Sequence, residues 1–165
     1  MGVIEEIKLR EREPDGVDPA FRNDVLEGLA QARKAIPARW FYDLEGSELF
    51  EQITTLDEYY PTRTEIGLLE RHGVDVGAVV GEGRAVVEFG SGSSLKTPLL
   101  LSATAPAAYV PLDISGEFLR QSSEALAAKF PQLPVLPVEA DFTRPVHLPA
   151  EVQDLPMLGF FPGST

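Results

Sequence analysis

The 165 residues carry 26 Asp and Glu against 14 Lys and Arg, a formal charge of −12, which argues against a nucleic-acid partner because a phosphate backbone demands a basic patch. Cysteine is absent and the two histidines, His72 and His147, are far apart, so disulfides, thiolate catalysis and a Cys-based zinc site are excluded and no metal site is expected. With 44% apolar residues the chain can bury one core, that of a single domain or a large part of one.

Residues 1–17 alternate charges with few apolar anchors and read as a mobile tail, and Glu5 and Glu6 do not suit a signal peptide. Residues 18–80 form a helical segment. Pro19 opens a pattern with Phe21, Val25, Leu26 and Leu29 on one side, running to about Ala35. An aromatic stretch follows, with Trp40-Phe41-Tyr42-Asp43, Leu49 and Phe50, and Tyr59-Tyr60-Pro61-Thr62-Arg63. Thr62-x-x-Glu65 is a capping box for a second helix through Ile66, Leu68 and Leu69, which Gly73 is expected to end. Gly81 to Gly83 mark the junction to a sheet domain over residues 81–165.

In that domain Val86-Val-Glu-Phe-Gly90-Ser-Gly92 describes a buried strand breaking into a tight turn. Gly90 and Gly92 permit positive φ and a close backbone approach to a ligand, and Glu88 stands ready to accept from hydroxyls or an ammonium group. A phosphate loop fits Lys96 and Thr97 but fails at Leu95, where it needs glycine; a dinucleotide fingerprint fails at the same residue. What survives is an acid-x-Gly-x-Gly turn, the pattern with which S-adenosylmethionine-dependent methyltransferases hold the cofactor's amino-acid end. Their commonest form has a third glycine where this chain has Ser94.

Residues 94–104 predict a short helix stopped before Pro106. Ala108 to Asp113 is a second apolar run ending in an acid, and Asp113 lies near the offset from Gly90 at which a carboxylate meets ribose hydroxyls. Taken alone Asp113 reads as a cap or turn residue; with Gly90 and Asp141 it reads as a ligand. Ser115 is placed to cap a helix with Phe118, Leu119, Leu126 and Phe130 on one face, ended by Pro131. A third strand, Leu133 to Val138, leads to Asp141-Phe142, a carboxylate and a ring suited to an adenine. Thr143 to Asp154 is a loop with at most one helical turn, and Leu155 to Phe161 is a fourth strand. Strand and helix alternate as in βαβ units, so the fold class is α/β with a parallel sheet. The longest uncharged run, Thr97 to Leu112, is short for a membrane span and holds three prolines, so a soluble cytoplasmic protein without membrane contact is expected.

Taken together, Trp40-Phe41-Tyr42-Asp43, Glu58-Tyr59-Tyr60-Pro61-Thr62-Arg63, Glu88-Phe-Gly-Ser-Gly with Lys96-Thr97, Asp141-Phe142 and Gly163-Ser164-Thr165 resemble, in order and spacing, the L-histidine Nα-methyltransferases of ergothioneine biosynthesis. The resemblance runs from about Phe21 to the last residue. It implies a Rossmann-like class I methyltransferase sheet, here C-terminally truncated, and S-adenosyl-L-methionine as the cofactor. The implied reaction is transfer of three methyl groups to the α-amine of histidine, giving hercynine. By resemblance Tyr42, Gly90, Lys96, Asp113, Asp141 and Phe142 line the cofactor site, with Glu88 and Gly92 in the same turn. Tyr59 and Gly163 lie at the amino-acid pocket, and Tyr42 and Tyr59 orient the amine. The family's Gly-Ser-Thr-Ile-Gly-Asn stretch is cut after Thr165, so an isolated chain is expected to be poorly soluble and to need a complementary C-terminal half for turnover. Two other readings stand beside this one: another small-amine N-methyltransferase of the same fold, such as one acting on a tryptophan derivative, and a non-catalytic fragment that binds a ligand or partner.

Overall fold

The computed structural model describes residues 16–163, so the expected tail falls almost wholly outside the described residues, as do Ser164 and Thr165. The chain divides into two compact units between Phe41 and Tyr42.

The first unit is built on α1 (Pro19–Ala30). Pro19 sits in its first turn, where a missing N–H costs nothing, and Asp18 caps it by accepting from the Ala20 and Phe21 amides at 2.7 and 3.4 Å. The helix stops five residues before the predicted Ala35. Gln31 is extended and the chain doubles back, so that the Ala35 N–H donates to the Gly28 carbonyl at 3.3 Å. Trp40, in a 3-10 turn over Ala38–Phe41, packs edge-on against Phe21 and donates its indole N–H to Asp24 at 2.7 Å. Arg39 pairs with the same carboxylate.

The second unit opens with α2 (Leu44–Thr54), capped by Asp43, which accepts from the Gly46 amide at 2.8 Å. Next comes α3 (Pro61–Val80). Neither predicted terminus of this helix holds. Pro61 supplies the first turn, no side chain caps it, and Thr62 lies inside it. Glu65 is engaged elsewhere and closes no capping box. Gly73 also lies inside the helix, which continues to a cap at Gly81 with φ 75°. Glycine serves packing at Gly77, where a Cβ would stand 2.1 Å from the Ala103 carbonyl oxygen, whereas a Cβ on Gly73 would make an ordinary contact with the Ala103 Cβ at 3.4 Å.

Four parallel strands form one sheet: β1 (Ala85–Phe89), β2 (Ala108–Asp113), β3 (Val138–Glu139) and β4 (Met157–Phe160), in the order β3-β2-β1-β4. The fold is thus α/β with helices preceding a parallel sheet. Between β1 and β2 runs α4 (Thr97–Thr104), and between β2 and β3 runs α5 (Gly116–Lys129). The predicted helix from residue 94 begins at Thr97 because Ser94 adopts φ 56°, a left-handed conformation that no α-helix accommodates. Ser115 occupies the N-cap of α5 as expected, but its hydroxyl makes no capping bond. β3 is far shorter than predicted. Pro134 and Pro137 interrupt the run, leaving a single bridge from Val135 to Tyr109 before the paired residues Val138 and Glu139. The segment before β4 holds one short 3-10 turn, Ala150–Val152, within the predicted loop.

Alternation along the strands sorts the core onto two faces. Val86 and Tyr109 pack with Leu100, Leu101 and Leu126 under α4 and α5. Ala85, Val87, Ala108, Val110 and Leu112 face Val152, with Val146, Leu148 and Leu155 of the long connection closing that side. Each buried valine or leucine among them contributes about 1.5–3 kcal/mol. No helix among the described residues is long and apolar enough to cross a membrane.

Candidate functional site

From β1 the chain moves through β2 to β3 and then returns to the opposite side of β1 as β4. The strand order therefore reverses between β1 and β4, and the crevice at the carboxyl ends of those strands is where open α/β sheets bind ligands.

The turn after β1 floors this crevice. Gly90 and Gly92 have φ of 68° and 52°, so both glycines adopt the conformation for which glycine was expected. The amides of Gly90 and Ser91 donate to the Leu112 carbonyl at 2.8 and 3.1 Å, stitching the turn to β2. A Cβ on Gly92 would meet nothing within 4 Å, and the buried Ser91 hydroxyl has no hydrogen-bond partner among the described residues. The open space at Gly92 suits a ligand lying on this turn.

Glu88 lies beneath the turn and is only 1% exposed. Its Oε2 accepts from the Thr97 hydroxyl at 2.8 Å and the Tyr109 hydroxyl at 2.6 Å. Burial pushes its carboxyl up to about 7, against the opposing pull of those two hydroxyls and of the Lys96 ammonium. Burial and the Glu88 charge raise the Tyr109 phenol well above its usual value, so Tyr109 keeps its proton and donates. Sequence reasoning placed Glu88 against a ligand and had no sign of this internal network, although Tyr109 and Thr97 are the polar residues of otherwise apolar or turn-forming runs.

Asp113 makes the bonds of its turn and cap reading. Its Oδ2 accepts from the Gly92 amide and its Oδ1 from the Ser115 amide, each at 3.0 Å, so it is a turn and cap residue that ties the β1 turn to the β2 exit. A carboxylate has further lone pairs, which remain chemically suited to hydroxyl donors. At the exit of β3, Asp141 accepts from the Thr143 amide and hydroxyl at 3.1 and 2.5 Å. Phe142 lies edge-on to Phe89 and to Phe161, with ring centroids 5.9 Å apart in each case, so three aromatic rings gather at the ends of β1 and β4.

The helical side contributes the remaining residues. The Phe50 ring lies between Tyr42, at 6.3 Å, and Tyr59, at 5.8 Å. Tyr59 is shifted upward, chiefly by burial and then by the neighbouring Tyr42 and Glu65, so it is a protonated phenol at neutral pH. Lys96, 9% exposed, donates to Glu65 Oε2 at 2.5 Å, and the Gly163 amide donates to Glu65 Oε1 at 2.5 Å. Glu65 is the residue at this site that sequence reasoning assigned to a helix cap. Among the described residues no three acidic or histidine side chains gather as metal ligands.

A family model for histidine-specific, SAM-dependent methyltransferases matches residues 21–165. The histidine N-alpha-methyltransferase of Mycolicibacterium smegmatis is 42% identical over 132 residues, covering 78% of this chain and 41% of that protein. Its counterpart from Mycobacterium tuberculosis is 39% identical over 127 residues, 74% of this chain and 39% of that protein. Ergothioneine biosynthesis protein 1 of Neurospora crassa is 37% identical over 93 residues, 54% of this chain and 11% of that protein. The chain thus spans about two fifths of the length of the two bacterial relatives.

Proposed function

The chain belongs to the family of SAM-dependent, histidine-specific methyltransferases, and from that premise we propose that it forms the cofactor side and part of the amino-acid side of an enzyme that methylates the α-amine of histidine. Hercynine is the proposed product, made on the way to ergothioneine in the cytoplasm. The observation that carries the reading is the Glu88-x-Gly90-x-Gly92 turn at the strand-order reversal, with open space at Gly92 and the Asp113 carboxylate beside it.

S-adenosyl-L-methionine supplies a methyl group already activated on a sulfonium, so the chemistry calls for no metal ion or covalent nucleophile. The turn at Gly90 and Gly92 admits the cofactor's amino-acid end, with Lys96 beside it. Asp113 accepts from ribose hydroxyls while holding the Gly92 and Ser115 amides, and Asp141 and Phe142 flank the base. The amine that attacks must be neutral and in line, and positioning of this kind can supply about 7–11 kcal/mol of barrier reduction. Tyr42 and Tyr59 orient that amine by hydrogen bonds. The upward shift of Tyr59 leaves its proton in place near neutral pH, which makes it an orienting group rather than a base. Gly163 lies on the amino-acid side, and the remainder of the family fold, in the same polypeptide or as a complementary chain, completes the pocket.

Calorimetry with S-adenosylhomocysteine and with ATP plus magnesium tests the cofactor assignment, since Leu95 stands where a phosphate loop needs glycine. Tighter binding of the nucleotide would reject it. Mass spectrometry of reactions containing histidine or a tryptophan derivative tests the acceptor: methylation of the indole amino acid in preference to histidine would replace histidine with the alternative small-amine reading.

A further inference from the structure

Glu65 joins two parts of the site that are remote in sequence. It stands in the second turn of α3, 31 positions from Lys96 and 98 from Gly163, and gives one carboxylate oxygen to each at 2.5 Å. Lys96 borders the β1 turn at the start of α4, and Gly163 follows β4, so the carboxylate bridges the two sides of the crevice at which the strand order reverses. The fit at the glycine is close, for a Cβ there would stand 3.1 Å from Glu65 Oε1. A largely buried ammonium requires a counter-charge, and Glu65 provides one to Lys96.

We infer that Glu65 is a positioning residue, which ties the Lys96 ammonium to the Gly163 amide and thereby fixes the cofactor side of the site relative to the amino-acid side. This rests on the proposed methyltransferase reading, in which those two sides carry the methyl donor and acceptor. A shift of the cofactor seat that moves Lys96 is carried by the carboxylate to the backbone at Gly163.

The test exploits the sequence itself. Pro162-Gly163 is the only Pro-Gly step in the chain, so labelling proline carbonyls with carbon-13 and glycine nitrogens with nitrogen-15 isolates the Gly163 amide signal in an NMR spectrum. With S-adenosylhomocysteine as the probe, wild type should show a shift of that signal and slower hydrogen exchange on binding. In Glu65→Ala the amide should exchange roughly tenfold faster or more, the loss expected for a hydrogen bond to a charged acceptor, and the response to the probe should vanish. Glu65→Gln keeps an acceptor and loses the charge, so it should retain part of the protection with a weakened response. An unchanged probe response in Glu65→Ala overturns the inference. If that variant does not fold, a full response in Glu65→Gln overturns it. Binding of the probe by wild type with no change at Gly163 also overturns it and leaves the functional reading standing, whereas a wild-type chain that binds no probe overturns both.

Discussion

A buried carboxyl held near neutrality makes Glu88 a source of pH dependence. In the unfolded chain it ionises around 4.5, but in the fold it keeps its proton until about 7. Its contribution to stability is therefore fully present below pH 4.5 and is lost as pH rises to about 7. Glu88→Gln removes the titration while keeping an acceptor for Thr97 and Tyr109. Relative to wild type, its stability should rise across that window by roughly 3 kcal/mol, as followed by urea unfolding at a series of pH values; parallel profiles for the two proteins would refute the assignment. Asp113→Ala should weaken S-adenosylhomocysteine binding by about 1.5–3 kcal/mol, measured by calorimetry, with Tyr59→Phe leaving that affinity nearly unchanged. Much of this site was legible in the sequence because glycine at a positive φ and an acid at a strand end are local signals. Glu65 was not, because a glutamate three residues after a threonine reads equally as a capping box, and its partners are distant in sequence.

Among the elements, α3 shows how a helix can be read correctly in kind and wrongly in extent. Gly73 resembled a terminus because glycine is the usual helix stop, yet α3 runs on through it, and it is at Gly77 that glycine lets α3 approach α4. The consequence is a contrast between two glycines of one helix. Gly77→Ala drives a Cβ into the Ala103 carbonyl, a backbone atom with little freedom to yield, and should destabilise by about 1–3 kcal/mol or more. Gly67→Ala meets nothing within 4 Å and should stabilise by about 0.4–1 kcal/mol. Chemical denaturation of the two variants checks both signs, and equal effects would mean that α3 and α4 do not pack as described. The third strand was overextended for a related reason: apolar residues from Leu133 to Val138 carried the strand pattern, while the prolines among them removed the amides that pairing needs.

At the scale of the whole molecule, the parallel α/β class followed from alternating elements, but the strand order did not, because the pairing of β4 with β1 spans the entire rest of the sheet. The position of the ligand crevice depends on that order. Binding there should stabilise the fold as a unit: S-adenosylhomocysteine at a hundred times its Kd should add about 2.7 kcal/mol, seen as a rise in Tm that ATP with magnesium does not reproduce. Absence of any rise at that ligand concentration would mean that the folded chain does not bind S-adenosylhomocysteine. The excess of 26 acidic over 14 basic residues adds a second expectation, that moderate salt raises Tm by screening self-repulsion.

The two margins of the sheet are not equivalent. The Pro134 carbonyl accepts from β2 and the Leu136 and Ala140 amides donate to it, which leaves Val135, Pro137 and Glu139 with their backbone groups turned outward, Pro137 without an N–H and Glu139 charged. The missing N–H of Pro137 makes that margin a poor one for further pairing. On the opposite margin, Ala85 bonds to the Pro156 carbonyl, so the outward residues are Met157 and Gly159, which bring neither charge nor proline. The sheet is therefore biased in its direction of growth, with the β4 margin the better suited of the two to receive a further strand, from whatever source.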